Sequence, residues 1–215
     1  MTKRKLNSYT IGALLLMSAL VLGFGVAINL SAKSDDIPDE LRGLIKKQPV
    51  AVPEFKLVDQ KNQPFNRESL KGAWTFMFFG YTHCPDVCPI TLTALDDAAN
   101  QINDLQNVQR KIQYVFISVD PNRDTPASLG AYVSYFDAKF IAATGSEQAL
   151  KQLAGPLGVK FERGVGIENE YLVSHSSTML LINPEVQYYA RFRAPHYAEE
   201  IVEGFKKVLT YKERQ

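Results

Sequence analysis

Trp74–Gly80 reads Trp-Thr-Phe-Met-Phe-Phe-Gly, a nearly continuous apolar and aromatic run that ends four residues before Cys84. A run this short, apolar at consecutive positions, buries both faces of a strand, so it belongs at the centre of a sheet covered on both sides. Beyond it come Cys84-Pro85-Asp86-Val87-Cys88-Pro89, and then Leu92, Leu95, Ala99, Ile102 and Leu105 at helical spacing to about Asn107. Pro89 suits a first helical position, where its missing N–H has no partner to lose. The two cysteines, the only ones in 215 residues, therefore stand where a central strand turns into a helix.

The rest of the chain continues in the same alternation. Val52–Val58 predicts an outer strand, with residues 59–64 as a hairpin turn. Ile112–Val119 predicts a second buried strand, and Asp124-Thr125-Pro126 the capped start of a helix to about Phe136. Phe140–Thr144 reads as a short strand, and Ser146 as the cap of a helix leading to Gly158. Val159–Arg163 and Glu170–Val173 flank a loose loop as the arms of a hairpin. Thr178–Ile182 and Val186–Phe192 are strands joined through Asn183-Pro184-Glu185, and a last helix spans about Tyr197 to Tyr211. Strands and helices in this order make an α/β domain, a mixed central sheet flanked by helices, which a thioredoxin-like fold fits best. Sites of open α/β sheets lie beyond the carboxyl ends of central strands, where the cysteines are.

Thr10–Leu30 carries no charge, and as a helix it would reach about 31 Å, enough to cross a bilayer core. Lys3, Arg4 and Lys5 precede it and favour the cytoplasmic side, placing the rest of the chain outside. The organisation expected is a basic segment at 1–9, a transmembrane anchor at 10–30, a polar tether at 31–49 and one domain at 50–215. A cleaved signal peptide is the rival reading, although the apolar run is long for one. Either way the domain would lie on the extracytoplasmic, periplasmic side of a bacterial-type inner membrane. Close cysteines there form disulfides readily, yet so short a loop restrains the unfolded chain little. With the basic residues gathered ahead of the apolar run, the remainder is slightly acidic, a poor footprint for nucleic acid.

At a helix start, unpaired N–H groups and the dipole favour thiolates at Cys84 and Cys88, which serve equally as nucleophiles or as soft metal ligands. The three histidines are His83, His175 and His196. His175 directly precedes a predicted strand whose entering loop packs beside the cysteines in a thioredoxin-like topology, so it either completes a two-sulfur, one-nitrogen site or lies on the surface. Such a donor set suits Cu(I) better than calcium or magnesium, and zinc would also accept it. His83 is expected to be an exposed or packed loop residue and His196 to face solvent. Asp120 either faces the site or belongs to a turn, Asp124 reads as a helix cap, and Arg123 can pair with either. Asp86 is expected to be exposed, and Trp74, Phe76, Phe78, Phe79 and Tyr81 to be core.

Gly80-Tyr81-Thr82-His83-Cys84-Pro85-Asp86-Val87-Cys88-Pro89, then Ser118-Val119-Asp120-Pro121-Asn122-Arg123-Asp124-Thr125-Pro126, then His175-Ser176, in this order and with the histidine 87 positions after Cys88, resemble the Sco/SenC family. The resemblance covers about residues 50 to 210. It implies a thioredoxin-like copper-delivery protein for cytochrome c oxidase assembly, with copper, as Cu(I) or Cu(II), held by Cys84, Cys88 and His175. The implied partners are the copper site of oxidase subunit II and a copper donor protein or thiol reductant. Family members typically carry an aspartate before the histidine, where this chain has Ser174. Some members resemble thiol–disulfide reductases, which makes Cys84 and Cys88 a redox-active pair in the alternative reading. The wider CxxxC and the lack of proline between Val173 and Thr178 favour copper, and Thr82, two positions before Cys84, does not match the Thr-x-x-Cys of peroxiredoxins. As a metallochaperone the protein would turn over no substrate and would not be an enzyme in the usual sense.

Overall fold

A computed structural model of the chain describes residues 37–103, 111–136, 140–166 and 170–214, together with Met17 and Ser18. The chain divides into two compact units, Met1–Asp36 and Ile37–Gln215. Apart from Met17 and Ser18, which are helical, the segments expected as basic leader, anchor and first part of the tether lie outside the described residues. Among the described residues no helix is long and apolar enough to cross a membrane.

The second unit is a mixed α/β domain. Its strands are β1 (Ile45–Ala51), β2 (Lys56–Asp59), β3 (Pro64–Asn66), β4 (Ala73–Gly80), β5 (Lys111–Ser118), β6 (Ile141–Thr144), β7 (Phe161–Arg163), β8 (Val173–His175), β9 (Met179–Ile182) and β10 (Gln187–Phe192). Its helices are α1 (Val87–Asn103), α2 (Pro126–Val133), α3 (Glu147–Ala154) and α4 (Ala198–Glu213). Eight strands form one sheet in the order β1-β10-β9-β4-β5-β6-β2-β3, and β7 and β8 form a separate antiparallel pair. β4, β5 and β6 run parallel, while β9 lies antiparallel to β4 on its other side.

Every residue of β4 is buried, as its apolar run requires. Trp74 meets Phe205 of α4 and Tyr189 of β10 edge-on, and Phe76 stacks on Tyr114 of β5. Each such side chain contributes roughly 1.5–3 kcal/mol by leaving water. This central strand is the rigid floor from whose carboxyl end the cysteine turn departs.

Residues 37–49, expected as tether, belong to the domain unit instead. Asp39–Leu41 form a 3-10 turn that buries Leu41, and β1 pairs with β10. Lys46, Lys47 and Pro49 give this segment a linker's composition, but they are devices that protect an exposed sheet edge. At the other margins the differences are small. The outer strand contracts to β2 because Pro53 interrupts the run, although Val52 and Phe55 stay buried.

α2 opens on Thr125, not Asp124: the Thr125 hydroxyl accepts from the Ser128 N–H, and the Ser128 hydroxyl accepts from the Thr125 N–H, a reciprocal cap. Thr125→Ala is expected to cost about 1 kcal/mol of stability, measured as the shift in a urea melt. Asp124, released from capping, does something else.

Candidate metal centre

Two neighbouring elements deliver the sulfurs. Cys84 sits in the turn after β4, where its N–H donates to the Tyr81 carbonyl at 3.2 Å. α1 begins at Val87, two residues earlier than Pro89 predicts, so Cys88 lies within the first turn and not at its cap. Both cysteines are free thiols. Cys88 is fully buried and Cys84 is 9% exposed.

The helix start leads one to expect readily ionised thiols. For Cys88 the structure reverses this: burial, the largest influence, pushes its pKa well above the ordinary value of 9.0, and Cys84 and Asp124 add to it against a backbone hydrogen bond at Tyr81. Desolvation penalises the thiolate more than the dipole favours it.

His175 ends β8, opposite Phe161 of β7. Its Nδ1 lies 3.2 Å from the Ser176 carbonyl, so Nδ1–H donates there and the Nε2 lone pair is left for the sulfurs. Nε2 is 3.4 Å from the Cys88 Sγ. Phe78 and Tyr81 stand edge-on to the imidazole, at 6.0 and 5.8 Å between ring centres, and restrict its swing. Cys84, Cys88 and His175 together offer two sulfurs and one nitrogen, all within 4.8 Å of one another. An imidazole 87 residues from Cys88 is thus brought to the cysteine turn, as the expected topology requires. An open cleft of about 580 Å³, lined by Lys151, Phe161, Ser174 and His175, gives access to the histidine side.

The remaining candidates sort differently. His83 is exposed and Asp86 is exposed. His196, expected in solvent, is instead 6% exposed: its Nε2 donates to the Ser177 carbonyl at 2.8 Å and its ring meets Phe78 edge-on. Asp120 is buried, but it faces Arg123 and the Tyr171 hydroxyl and not the sulfurs. Asp124 is buried too and accepts hydrogen bonds from Thr82 and Ser118. Tyr171 did not stand out in the sequence, because a single tyrosine in a loop carries no spacing signal, and Thr82 was weighed only for its spacing to Cys84 and not as a partner of Asp124.

Burial holds His175 and His196 below the ordinary imidazole value of 6.5. The unfolded chain then binds protons in acid that the folded chain refuses, so their contribution is complete above pH 6.5 and lost as the pH falls below it. Cys88, with its raised pKa, acts oppositely: its contribution is complete below 9.0 and lost as the pH rises above that. Urea melts of the metal-free, reduced chain are expected to decline on both sides of that window. Cys88→Ala is expected to remove the part of the alkaline decline that begins near pH 9. It should leave both the acid limb and the decline above pH 10, where tyrosines raised by burial act in the same direction.

Chemically, two soft, buried sulfurs and a half-buried, neutral imidazole favour a soft ion that tolerates low coordination. Loading such an ion displaces the thiol protons. The donor set fits Cu(I), and zinc in a structural site normally takes a fourth ligand.

Comparison with known proteins agrees with this geometry. The sequence model of the SCO1/SenC family matches residues 45–210. A protein of Stutzerimonas stutzeri named putative copper-binding protein is 37% identical over 193 residues, covering 89% of this chain and 92% of that one. Among solved structures, Arabidopsis thaliana ScoI with copper bound is 33% identical with a TM-score of 0.69, covering 75% of this chain and 99% of that one. Bradyrhizobium japonicum ScoI with copper bound is 30% identical with a TM-score of 0.65, covering 74% and 99%. A family match over more than half the chain, together with relatives of this identity and coverage, places it: the chain belongs to the SCO1/SenC family.

Proposed function

We propose that this protein is a membrane-anchored copper chaperone that receives copper on Cys84, Cys88 and His175 and delivers it to the copper centre of cytochrome c oxidase during assembly. One observation carries the proposal: two sulfurs of one turn and an imidazole 87 residues beyond Cys88 converge within 4.8 Å of one another. Copper bound to two of the family's solved members supports the choice of metal. Copper is cargo here. Cys84 and Cys88 give up their protons on loading, His175 supplies Nε2, and the partly exposed Cys84 and half-buried His175 are the donors an acceptor's ligands reach first. The uncharged run at 10–30 and the basic residues before it support an inner-membrane anchor with the domain outside.

The test uses the full chain in detergent, reduced and loaded with one Cu(I), mixed with the metal-free soluble domain of oxidase subunit II. Copper is expected to move to the acceptor, followed as copper content of the two proteins after they are separated. The rival thiol–disulfide role predicts something else: the metal-free reduced chain reduces an oxidised acceptor, while the loaded chain transfers no metal. That second outcome would replace the proposal.

A further inference from the structure

The loop Asp120-Pro121-Asn122-Arg123-Asp124 follows β5 and offers no ligand of its own to the cysteine–histidine cluster. Its two acids nevertheless reach to both halves of that cluster. Asp124, 1% exposed, accepts from the Thr82 N–H at 2.9 Å, the Thr82 hydroxyl at 2.6 Å and the Ser118 hydroxyl at 2.5 Å. Thr82 is two residues before Cys84, so these bonds pin the turn that presents the sulfurs. Asp120, 3% exposed, accepts from the Tyr171 hydroxyl at 2.7 Å and from Arg123 Nε. Tyr171 is four residues before His175.

Arg123 reinforces the second arm. Its Nη1 donates to the Tyr171 carbonyl at 3.0 Å, and its guanidinium lies 3.7 Å from the centre of the Tyr171 ring. Arg163 of β7 stands 3.9 Å from the same ring. The arms are joined through the backbone, because the Asp124 N–H donates to the Asp120 carbonyl at 2.9 Å.

The β7–β8 pair needs such an anchor. Its ladder bonds run within the pair and not to the eight-stranded sheet, so apart from the three-residue connection to β9 its placement depends on side chains. Buried charge-assisted hydrogen bonds are directional and costly to break. They suit a part that must fix a distance.

We propose that this loop is a bracket that sets the sulfur–nitrogen separation, with Asp124 and Thr82 positioning the cysteine turn and Asp120, Arg123 and Tyr171 positioning the hairpin that carries His175. The proposal rests on Cys84, Cys88 and His175 being the metal ligands. None of the five bracket residues belongs to the donor cluster; each acts through a ligand's backbone.

The experiment measures Cu(I) affinity of the reduced full chain in detergent against bicinchoninate, for Tyr171→Phe and Thr82→Val, each alone and combined with His175→Ala. Tyr171→Phe keeps the ring against the Arg123 and Arg163 guanidinium groups and removes only the bond to Asp120. It is expected to lower affinity about tenfold, within the range for partners that orient ligands. In the His175→Ala background it is expected to change nothing, because the arm it loosens no longer carries a ligand. Thr82→Val is expected to lower affinity about tenfold in both backgrounds, because the sulfurs remain. A merely structural role for Tyr171 would weaken binding equally in both backgrounds, and that result would overturn the bracket, as would an unchanged affinity for Tyr171→Phe. A second readout needs no copper: the 15N shift of the His175 Nε2 in the metal-free chain is expected to move in Tyr171→Phe as its contact with the Cys88 thiol loosens. An unchanged shift would count against the bracket. If His175→Ala alone leaves affinity unaltered, it is the ligand assignment that fails, a result distinct from both.

Discussion

His175→Ala is expected to lower the Cu(I) affinity of the reduced chain more than about a hundredfold, beyond the loss caused by removing a partner that merely orients a ligand. The substitution removes the only nitrogen donor of the cluster and leaves two sulfurs to hold the ion. Thiol exchange should be largely spared, because neither cysteine depends on the imidazole for its place: Cys84 is held by the Tyr81 carbonyl and Cys88 by the first turn of α1. The stability cost should be modest. The imidazole is half-buried, and its loss vacates an edge-on contact with Phe78 and Tyr81 without opening the sheet. Competition titration and a glutathione-exchange assay on the same preparation check both halves. Equal losses in the two assays would mean that the histidine supports the turn as a whole. Unchanged copper binding would mean that the metal is held without it.

How much of this was legible in the sequence depends on whether a feature is periodic or singular. β4 and α1 could be placed within a residue or two at their junction, because a strand buried on both faces and a helix with one apolar stripe each repeat their signal many times. The sulfurs were visible through scarcity instead, being the only two in the chain and lying at that periodic junction. His175 could be nominated because the loop entering a predicted strand brought it to the right end of the sheet. The approach of its Nε2 to Cys88 could not be read, since that depends on how β8 is seated. β1 reads as linker because an edge strand carries lysine and proline for reasons unrelated to disorder. His196 and Asp124 mislead through their local sequence. Each looks like a solvent or capping group to its neighbours in the chain, but its partners lie 19 and 42 residues away.

Gly80→Ala is the second substitution with a large expected effect, about 3 kcal/mol of lost stability, at the upper end of what overpacking a core usually costs. Gly80 ends β4, directly before the cysteine turn. A Cβ there would stand 2.6 Å from the Cys88 Sγ and 2.8 Å from Phe116 Cε2. Neither neighbour has room to yield. Cys88 and Phe116 are both fully buried, and the Phe116 ring is itself packed against Phe78 and Tyr132. Gly72, by contrast, faces open space, and only its positive φ argues against a side chain. At Gly80 the constraint is close approach: the sulfur sits so near the strand that no side chain fits between them. Relief requires moving the sulfur, the ring or both, so copper affinity should fall along with stability, by about tenfold or more, as for a disturbed ligand support. Combining Gly80→Ala with Phe116→Leu separates the two. The smaller side chain frees space on the ring side, so urea melts should show partial recovery of stability in the double variant. The displaced sulfur is not restored, so Cu(I) competition should stay weak. If affinity recovers together with stability, the methyl group acts on the core alone, and the close packing of Cys88 against β4 has no part in presenting the sulfur.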